Sequence, residues 1–257
     1  MTFPAHLELL GLRIHPHFAF EALGYFAGAR VYFATRRRDA AALPLEPNLW
    51  LLVGCVFGAW AGSKLLAWAE SPAHYLALLQ TDPAALLGGK TIVGGFLGGW
   101  AGIELVKRRL GIARSTGDAF VWPLALGTAI GRIGCFLTGL ADRTFGVATA
   151  LPWGVDFGDG VARHPTQLYE SVFVLILAPA IFFATRSREL PNGARFRLYF
   201  AGYFAFRFFI EFLKPRETAL AFLSAIQLAS LLGAGLALAS LRRLASAAPI
   251  ENRESKT

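Results

Sequence analysis

The sequence predicts an all-α membrane protein of seven transmembrane helices, with its N-terminus outside, its C-terminus cytoplasmic and a small extracytoplasmic loop region. Three observations carry this expectation. Hydrophobic residues make up 55% of the 257 positions and charged residues only 16%, whereas a soluble domain carries about a quarter charged. The apolar residues fall in runs close to the roughly 20 residues a bilayer requires. Arg and Lys cluster at alternate ends of those runs, as cytoplasmic loops do.

In chain order, residues 1–16 are mixed and too short to span, and read as a short extended or interfacial piece. The first run, His17 to Thr35, ends at Arg36, Arg37 and Arg38. The second covers Leu49 to Ala69, and the loop ESPAHYLALLQTDP after it holds two acids and no Lys or Arg, which places it outside. The third runs from Ala84 to Val106 and stops at Lys107, Arg108 and Arg109. The fourth covers Ala119 to Leu140, followed by a turn-rich, mildly acidic loop reaching Pro165. The fifth, Gln167 to Ala184, ends before Arg186 and Arg188; Arg195 and Arg197 precede the sixth, Leu198 to Leu213. The seventh, Leu220 to Leu241, ends at Arg242 and Arg243 before a polar tail. Residues 1–257 thus form a single polytopic domain with one loop insert at 140–165.

Composition also excludes classes. The net charge of +8 sits in short clusters beside apolar runs, with no RNA-binding motif or long basic stretch, so nucleic acid is not expected as a partner. Cys55 and Cys135 lie within apolar runs and give no disulfide framework. No CxxC, HExxH, GxSxG or Walker pattern occurs, so no metal site, serine hydrolase or nucleotidase is expected. The first fifteen residues lack the basic and apolar regions of a cleavable signal peptide.

Glycine spacing predicts close helix contacts. Gly54, Gly58 and Gly62 recur every fourth residue in the second run, as do Gly94, Gly98 and Gly102 in the third. Small residues at that spacing let backbones approach in lipid. Gly88 and Gly89, at the entrance of the third run, mark a loosened backbone lining a cavity.

Ionisable residues within the runs are Glu21, Arg30, Lys64, Lys90, Glu104, Arg132, Glu170, Arg207 and Glu211. Each costs roughly 2.5–3.5 kcal/mol at the bilayer centre on insertion scales, so they must be paired, snorkelled or face a wet cavity. Arg30 and Glu104 lie about a turn from basic ends and read as snorkelling or locally paired. Lys64 and Lys90 are near outer ends and suit either snorkelling or lipid phosphate. Arg132 lies mid-run between glycines, in GRIG. It reads either as a structural partner of Glu170, Glu211 or Glu21, or as a guanidinium fork for a phosphodiester, the second being favoured. Arg207 and Glu211, four residues apart, either neutralise each other or form, with Tyr199 and Tyr203 on the same helix face, a polar stripe that must face protein or water. His164 precedes Pro165, which biases it to an extended conformation, among Arg163, Gln167 and Glu170.

Taken together, GRIGCFLTG, ALPWGVDF, ARHPTQLYE and AFRFFIEF, with GGKTIVGGFLGG, resemble the prolipoprotein diacylglyceryl transferase family of bacterial inner membranes. The resemblance covers nearly the whole chain in order, and RHPTQLYE is its most specific piece. It implies a multi-pass enzyme of the bacterial cytoplasmic membrane. Its reaction moves the diacylglyceryl group of phosphatidylglycerol to the lipobox cysteine of secreted precursor proteins, releasing glycerol phosphate and using no cofactor. Arg132 and Arg207 match the family's essential arginines, and Glu211 matches their partner carboxylate. Together with Glu170 they form the expected catalytic set. Glu21, Tyr25, Lys90, Cys135, Gly139, Gly146, Arg163, His164, Gln167 and Tyr169 form the expected substrate-binding set.

The chain departs from the family pattern at several places. Val93 stands where better-known members have a histidine, Cys135 where they have asparagine, Glu21 where they have tyrosine, and the 140–165 loop is shorter. An imidazole base at Val93 is therefore impossible, which leaves Glu21, Glu170, Glu211, His164 or the arginine field to activate a thiol. The alternatives are a paralogue acting on another acceptor and a non-catalytic binder or transporter of anionic lipid. A transporter would favour inverted repeats, which the sequence lacks.

Overall fold

The computed structural model describes residues 3–5, 7–9, 12–37, 43–215 and 222–247. Helices occur at each of the seven predicted positions: α1 (Pro16–Arg37), α2 (Leu45–Glu70), α4 (Ile92–Arg109), α5 (Val121–Thr138), α6 (Thr166–Ala184), α7 (Ala194–Ile210) and α8 (Ala225–Ala247). Between α2 and α4 lies a further helix, α3 (Pro72–Thr81). Among the described residues, four segments are long and apolar enough to cross a membrane, Leu45–Glu70, Gly117–Asp142, Thr166–Ala184 and Ala225–Ser246. The chain is therefore an all-helical, multi-pass membrane protein. Arg38, Leu220 and the tail beyond residue 247 lie outside the described residues.

Several boundaries differ from the sequence reading: α7 takes in Arg195 and Arg197, and α8 takes in Arg242 and Arg243. The loop after α2 folds into α3, started by Pro72 in its first turn, where a proline has no amide to lose. The third run begins late: Pro83–Leu87 is a short 3-10 turn and α4 starts only at Ile92. Gly88 and Gly89 break the helix between them, with Gly89 at φ +65°. Lys90 consequently sits on non-helical backbone rather than inside a span.

The expected glycine contacts form. α2 and α4 pack backbone to backbone: a Cβ at Gly58 would run into the Gly98 carbonyl, at Gly62 into that of Gly94, and at Gly54 into that of Gly102. α1 lies on α5 through Gly24 against Gly127. α7 is central. Its Phe200 stacks on Phe96 of α4 at 5.4 Å, its Phe206 on Phe173 of α6 at 4.1 Å, and α8 covers its remaining side. The core between α4, α5, α6 and α7 contains Val93, Val121, Val174, Ala178, Tyr199 and Phe204. Large apolar side chains such as Trp50, Phe57, Ile176 and Leu232 face outward, as a lipid-facing surface requires.

The N-terminal piece is extended as predicted, with strand β1 (Leu7–Leu9) antiparallel to β2 (Leu12–Ile14). The amide of Ala5 bonds the Leu137 carbonyl at 2.9 Å, and Phe3 packs on Phe136 and Phe157. In the 140–165 loop, β3 (Val155–Asp156) pairs with β4 (Ala162–Arg163). Asp156 Oδ1 caps the turn between them by accepting from the amides of Gly158, Asp159 and Gly160.

Candidate active site

Where α5, α6 and α7 meet, the apolar core gives way to a buried ionic cluster. Glu170, at the first turns of α6, is 1% exposed and sits between two guanidiniums. Its Oε2 lies 2.9 Å from Arg132 Nε and accepts from Arg207 Nη1 at 2.8 Å. Its Oε1 accepts from Tyr203 OH at 2.6 Å and Arg132 Nη2 at 3.3 Å. Arg207 also donates through Nη2 to Glu211 Oε2 at 3.0 Å, and Lys214 Nζ stands 3.7 Å from the same oxygen. The helical period explains the assembly: Tyr203, Arg207 and Glu211 succeed one another every fourth residue on one face of α7 and its terminal turn.

The structural reading of Arg132 is met by one pairing. It is paired to Glu170, one of the partners the sequence offered, yet pairing does not exhaust the positive charge. Among the described residues, Arg132, Arg207 and Lys214 pair with Glu170 and Glu211, three positive charges against two negative ones in a buried place. A phosphodiester carries one negative charge. Unfilled hydrogen-bonding capacity lies beside it. Both amide atoms of Gln167, the Tyr199 hydroxyl and Arg207 Nε are buried without a hydrogen-bond partner among the described residues. Buried polar groups left this way are scarce in folded proteins and point to an absent ligand or water. Gly131, next to Arg132, is the open side of the pair GRIG: a Cβ there would meet nothing within 4 Å. Gly134 instead receives Phe20 of α1.

A second group surrounds an open cavity of about 370 Å³ that His17, Glu21, Lys90, Thr138 and Asp142 help to line. Lys90 Nζ is 3.0 Å from both oxygens of Glu21, and Tyr25 OH donates to Glu21 at 2.9 Å. Cys135 links this cavity to the ionic cluster: its Sγ lies 3.8 Å from Arg132 Nη1 and 3.8 Å from His17 Nδ1. His17 Nδ1 in turn is 2.9 Å from Asp142 Oδ1. Lys64 is buried. It donates to the carbonyls of Leu87, Gly88 and Gly89 and so ties down the turn that carries Lys90. Glu104 pairs locally with Lys107 at 3.0 Å.

The remaining expected binding residues lie in the 140–165 loop or flank it. Arg163 is held by Asp159 through two contacts of 2.6 and 2.7 Å and lies over the Phe145 ring. That guanidinium keeps the Asp159 carboxyl below the usual carboxylate range. Tyr169 OH accepts from Trp153 Nε1 at 2.7 Å and stands 3.2 Å from His164 Nδ1, fastening the loop to the start of α6. Gly146 lets the loop strand pass His164, where a Cβ would collide with the His164 side chain. Gly139, at φ +68°, turns the chain out of α5 against Phe3. Val93 is fully buried in the apolar core and offers no proton acceptor.

Sequence reasoning thus named four residues of the ionic cluster, Arg132, Glu170, Arg207 and Glu211, and missed Tyr203 and Lys214 there and His17 and Asp142 beside the cavity. Tyr203 was visible in the polar stripe of α7. His17 and Asp142 each stand at the edge of an apolar run, where an ionisable residue reads as ordinary boundary chemistry.

The chain is similar to known proteins along nearly its whole length. The sequence profile of the prolipoprotein diacylglyceryl transferase family matches residues 4–243. The phosphatidylglycerol–prolipoprotein diacylglyceryl transferase of Geobacter sulfurreducens is 31% identical over 233 residues, covering 87% of this chain and 88% of the relative. That of Bordetella bronchiseptica is 33% identical, with 86% of each chain covered. That of Nitratidesulfovibrio vulgaris Hildenborough is 36% identical over 78% of this chain and 75% of the relative.

Proposed function

The chain belongs to the prolipoprotein diacylglyceryl transferase family, and from that premise we propose that its buried arginine–glutamate cluster is the reaction centre. The enzyme transfers the diacylglyceryl group of phosphatidylglycerol to a prolipoprotein. The acceptor is the thiol of a lipobox cysteine, presented at the outer face of the bacterial inner membrane. Seven helices cross that membrane, with the N-terminus outside.

The acceptor sulfur attacks the methylene carbon that carries the phosphate. A C–S bond forms, the C–O bond breaks, and its electron pair remains on the phosphate oxygen. Glycerol phosphate leaves and takes up the proton released by the thiol. The phosphate passes from one negative charge towards two, so groups aimed at it stabilise the transition state more than the ground state. The observation that carries the reading is the surplus positive charge among Arg132, Arg207 and Lys214. Glu170 and Tyr203 position the two guanidiniums. Carboxylates this close to guanidinium are poor bases, so Glu170 and Glu211 orient rather than accept the proton. The partnerless Gln167 amide supplies donor and acceptor capacity beside the headgroup. The Glu21–Tyr25–Lys90 group and the 140–165 loop border the approach of the precursor.

The test combines purified full-length protein, phosphatidylglycerol vesicles and a lipobox peptide, with release of glycerol phosphate as the readout. Release that requires the peptide thiol and falls at least about 100-fold in Arg132→Ala, the scale of losing a transition-state donor, is expected. Transfer to a thiol-free acceptor would point to a different reaction on the same fold. Lipid binding without turnover would reduce the protein to a binder.

A further inference from the structure

Three side chains from separate segments converge beneath the open cavity. His17 is in the first turn of α1, Cys135 in the last turn of α5, and Asp142 closes the 3-10 turn after it. Their donor atoms, His17 Nδ1, Cys135 Sγ and an Asp142 carboxylate oxygen, all lie within 4.8 Å of one another. Two of the separations are 2.9 and 3.8 Å. Tetrahedral Zn2+, at its usual 2.0–2.3 Å from N, O and S ligands, holds neighbouring donors about 3.3–3.8 Å apart. Small side-chain adjustments therefore close this set around one ion.

The surroundings are those of a metal triad. His17 Nε2, the nitrogen left over, lies 3.6 Å from Glu21 Oε2, and a carboxylate on that side favours the tautomer that presents Nδ1 to a metal. Asp142 keeps its second oxygen for the Thr144 hydroxyl at 2.6 Å, which orients the carboxylate in the same way. A thiolate, a carboxylate and a neutral imidazole carry two negative charges and balance a divalent ion. The mixed soft and borderline donors select zinc rather than magnesium or calcium. Three protein ligands beside a cavity that His17 and Asp142 line describe an open site, with its fourth position available to an incoming group.

We propose that His17, Cys135 and Asp142 bind Zn2+, and that the fourth position receives the acceptor cysteine of the precursor. The second half of this proposal rests on the transferase reading; the first does not. Coordination makes a thiol a thiolate at neutral pH, and its proton leaves through the cavity water. The bound sulfur then attacks the methylene carbon, the C–S bond forms, and the C–O electron pair departs with the phosphate, with no change in oxidation state. This supplies thiol activation where Val93 offers no base and both Glu170 and Glu211 are held by guanidiniums.

The test uses the full chain in lipid nanodiscs, stripped by chelator and titrated with Co2+. One equivalent is expected to raise a thiolate-to-Co2+ charge-transfer band together with strong tetrahedral visible bands. Cys135→Ser is expected to lose the charge-transfer band while retaining helical circular dichroism, and Glu21→Gln to weaken binding roughly 10–100-fold. A lipobox peptide should add a second thiolate band that its cysteine-to-serine version does not. A stripped wild-type protein that gives no such band, or a band undiminished in Cys135→Ser, overturns the metal site. If that protein still turns over, the transferase reading survives alone. A Co2+ spectrum as expected with no glycerol phosphate released by any metal form would leave the metal site and remove the transferase reading.

Discussion

Glu170 carries more of the site's geometry than any other single residue, because two guanidiniums and a phenol converge on its two oxygens. Glu170→Gln leaves buried arginines short of a counter-charge and is expected to destabilise the protein by about 3–5 kcal/mol, read as a fall in melting temperature in detergent. Tyr203→Phe removes one hydrogen bond to a charged group and is expected to cost about 1.5–3 kcal/mol. Equal losses in the two variants would mean that the ionic contacts contribute little. Lys214 lies just beyond the terminal turn of α7, where burial, reinforced by Arg207, pushes its ammonium down to about 8. Its charge is present below that value and lost above it, so kcat/KM for an anionic lipid is expected to decline as pH rises through about 8. Lys214→Arg, charged throughout, is expected to remove that decline; a profile flat across the range would take Lys214 out of the charge balance. Gly131→Leu tests the open side of Arg132: it is expected to raise KM for lipid without lowering the melting temperature. Arg132, Arg207 and Glu211 were legible in the sequence because charge inside an apolar run is costly enough to require a reason. Lys214 was not, since a lysine after a run looks like any interfacial residue until its burial is known.

At the level of elements, the glycine registers in α2 and α4 translate directly into a contact without side chains between the backbones. Gly58→Ala and Gly98→Ala are each expected to destabilise by about 1–3 kcal/mol, the range for overpacking, whereas Gly235→Ala on α8 meets nothing within 4 Å and is expected to stabilise by about 0.5–1 kcal/mol. Thermal denaturation of the three variants checks this, and loss of stability in all three would show a general intolerance rather than a specific contact. The helix positions were readable from apolar runs, but their starts were not always. The third run seemed to begin at Ala84 because Ala, Leu and Gly are apolar in a window average. In the fold, the turn made by Gly88 and Gly89 is instead anchored by Lys64, a partner remote in sequence. α3 was missed for a related reason: a short apolar helix lying between spans has no charge pattern of its own.

For the molecule as a whole, alternation of basic clusters makes a statement about orientation that a reporter can check. Green fluorescent protein fused after Arg243 is expected to fluoresce and alkaline phosphatase at the same place to stay inactive; the reverse would invert the proposed topology. What the sequence did not disclose is which ends meet. His17 and Asp142 are far apart in the chain, yet α1 lying along α5 brings them to one place. Neither residue has a neighbour in sequence that would announce the meeting. The α2–α4 contact has a mechanical corollary. Where carbonyl oxygens rest against opposing α-carbons, neither helix has clearance to slide or roll, so the pair behaves as one stiff strut. Any parting of the bundle wide enough for a two-tailed molecule must therefore occur at the seams around that strut, where larger side chains can change rotamer and yield.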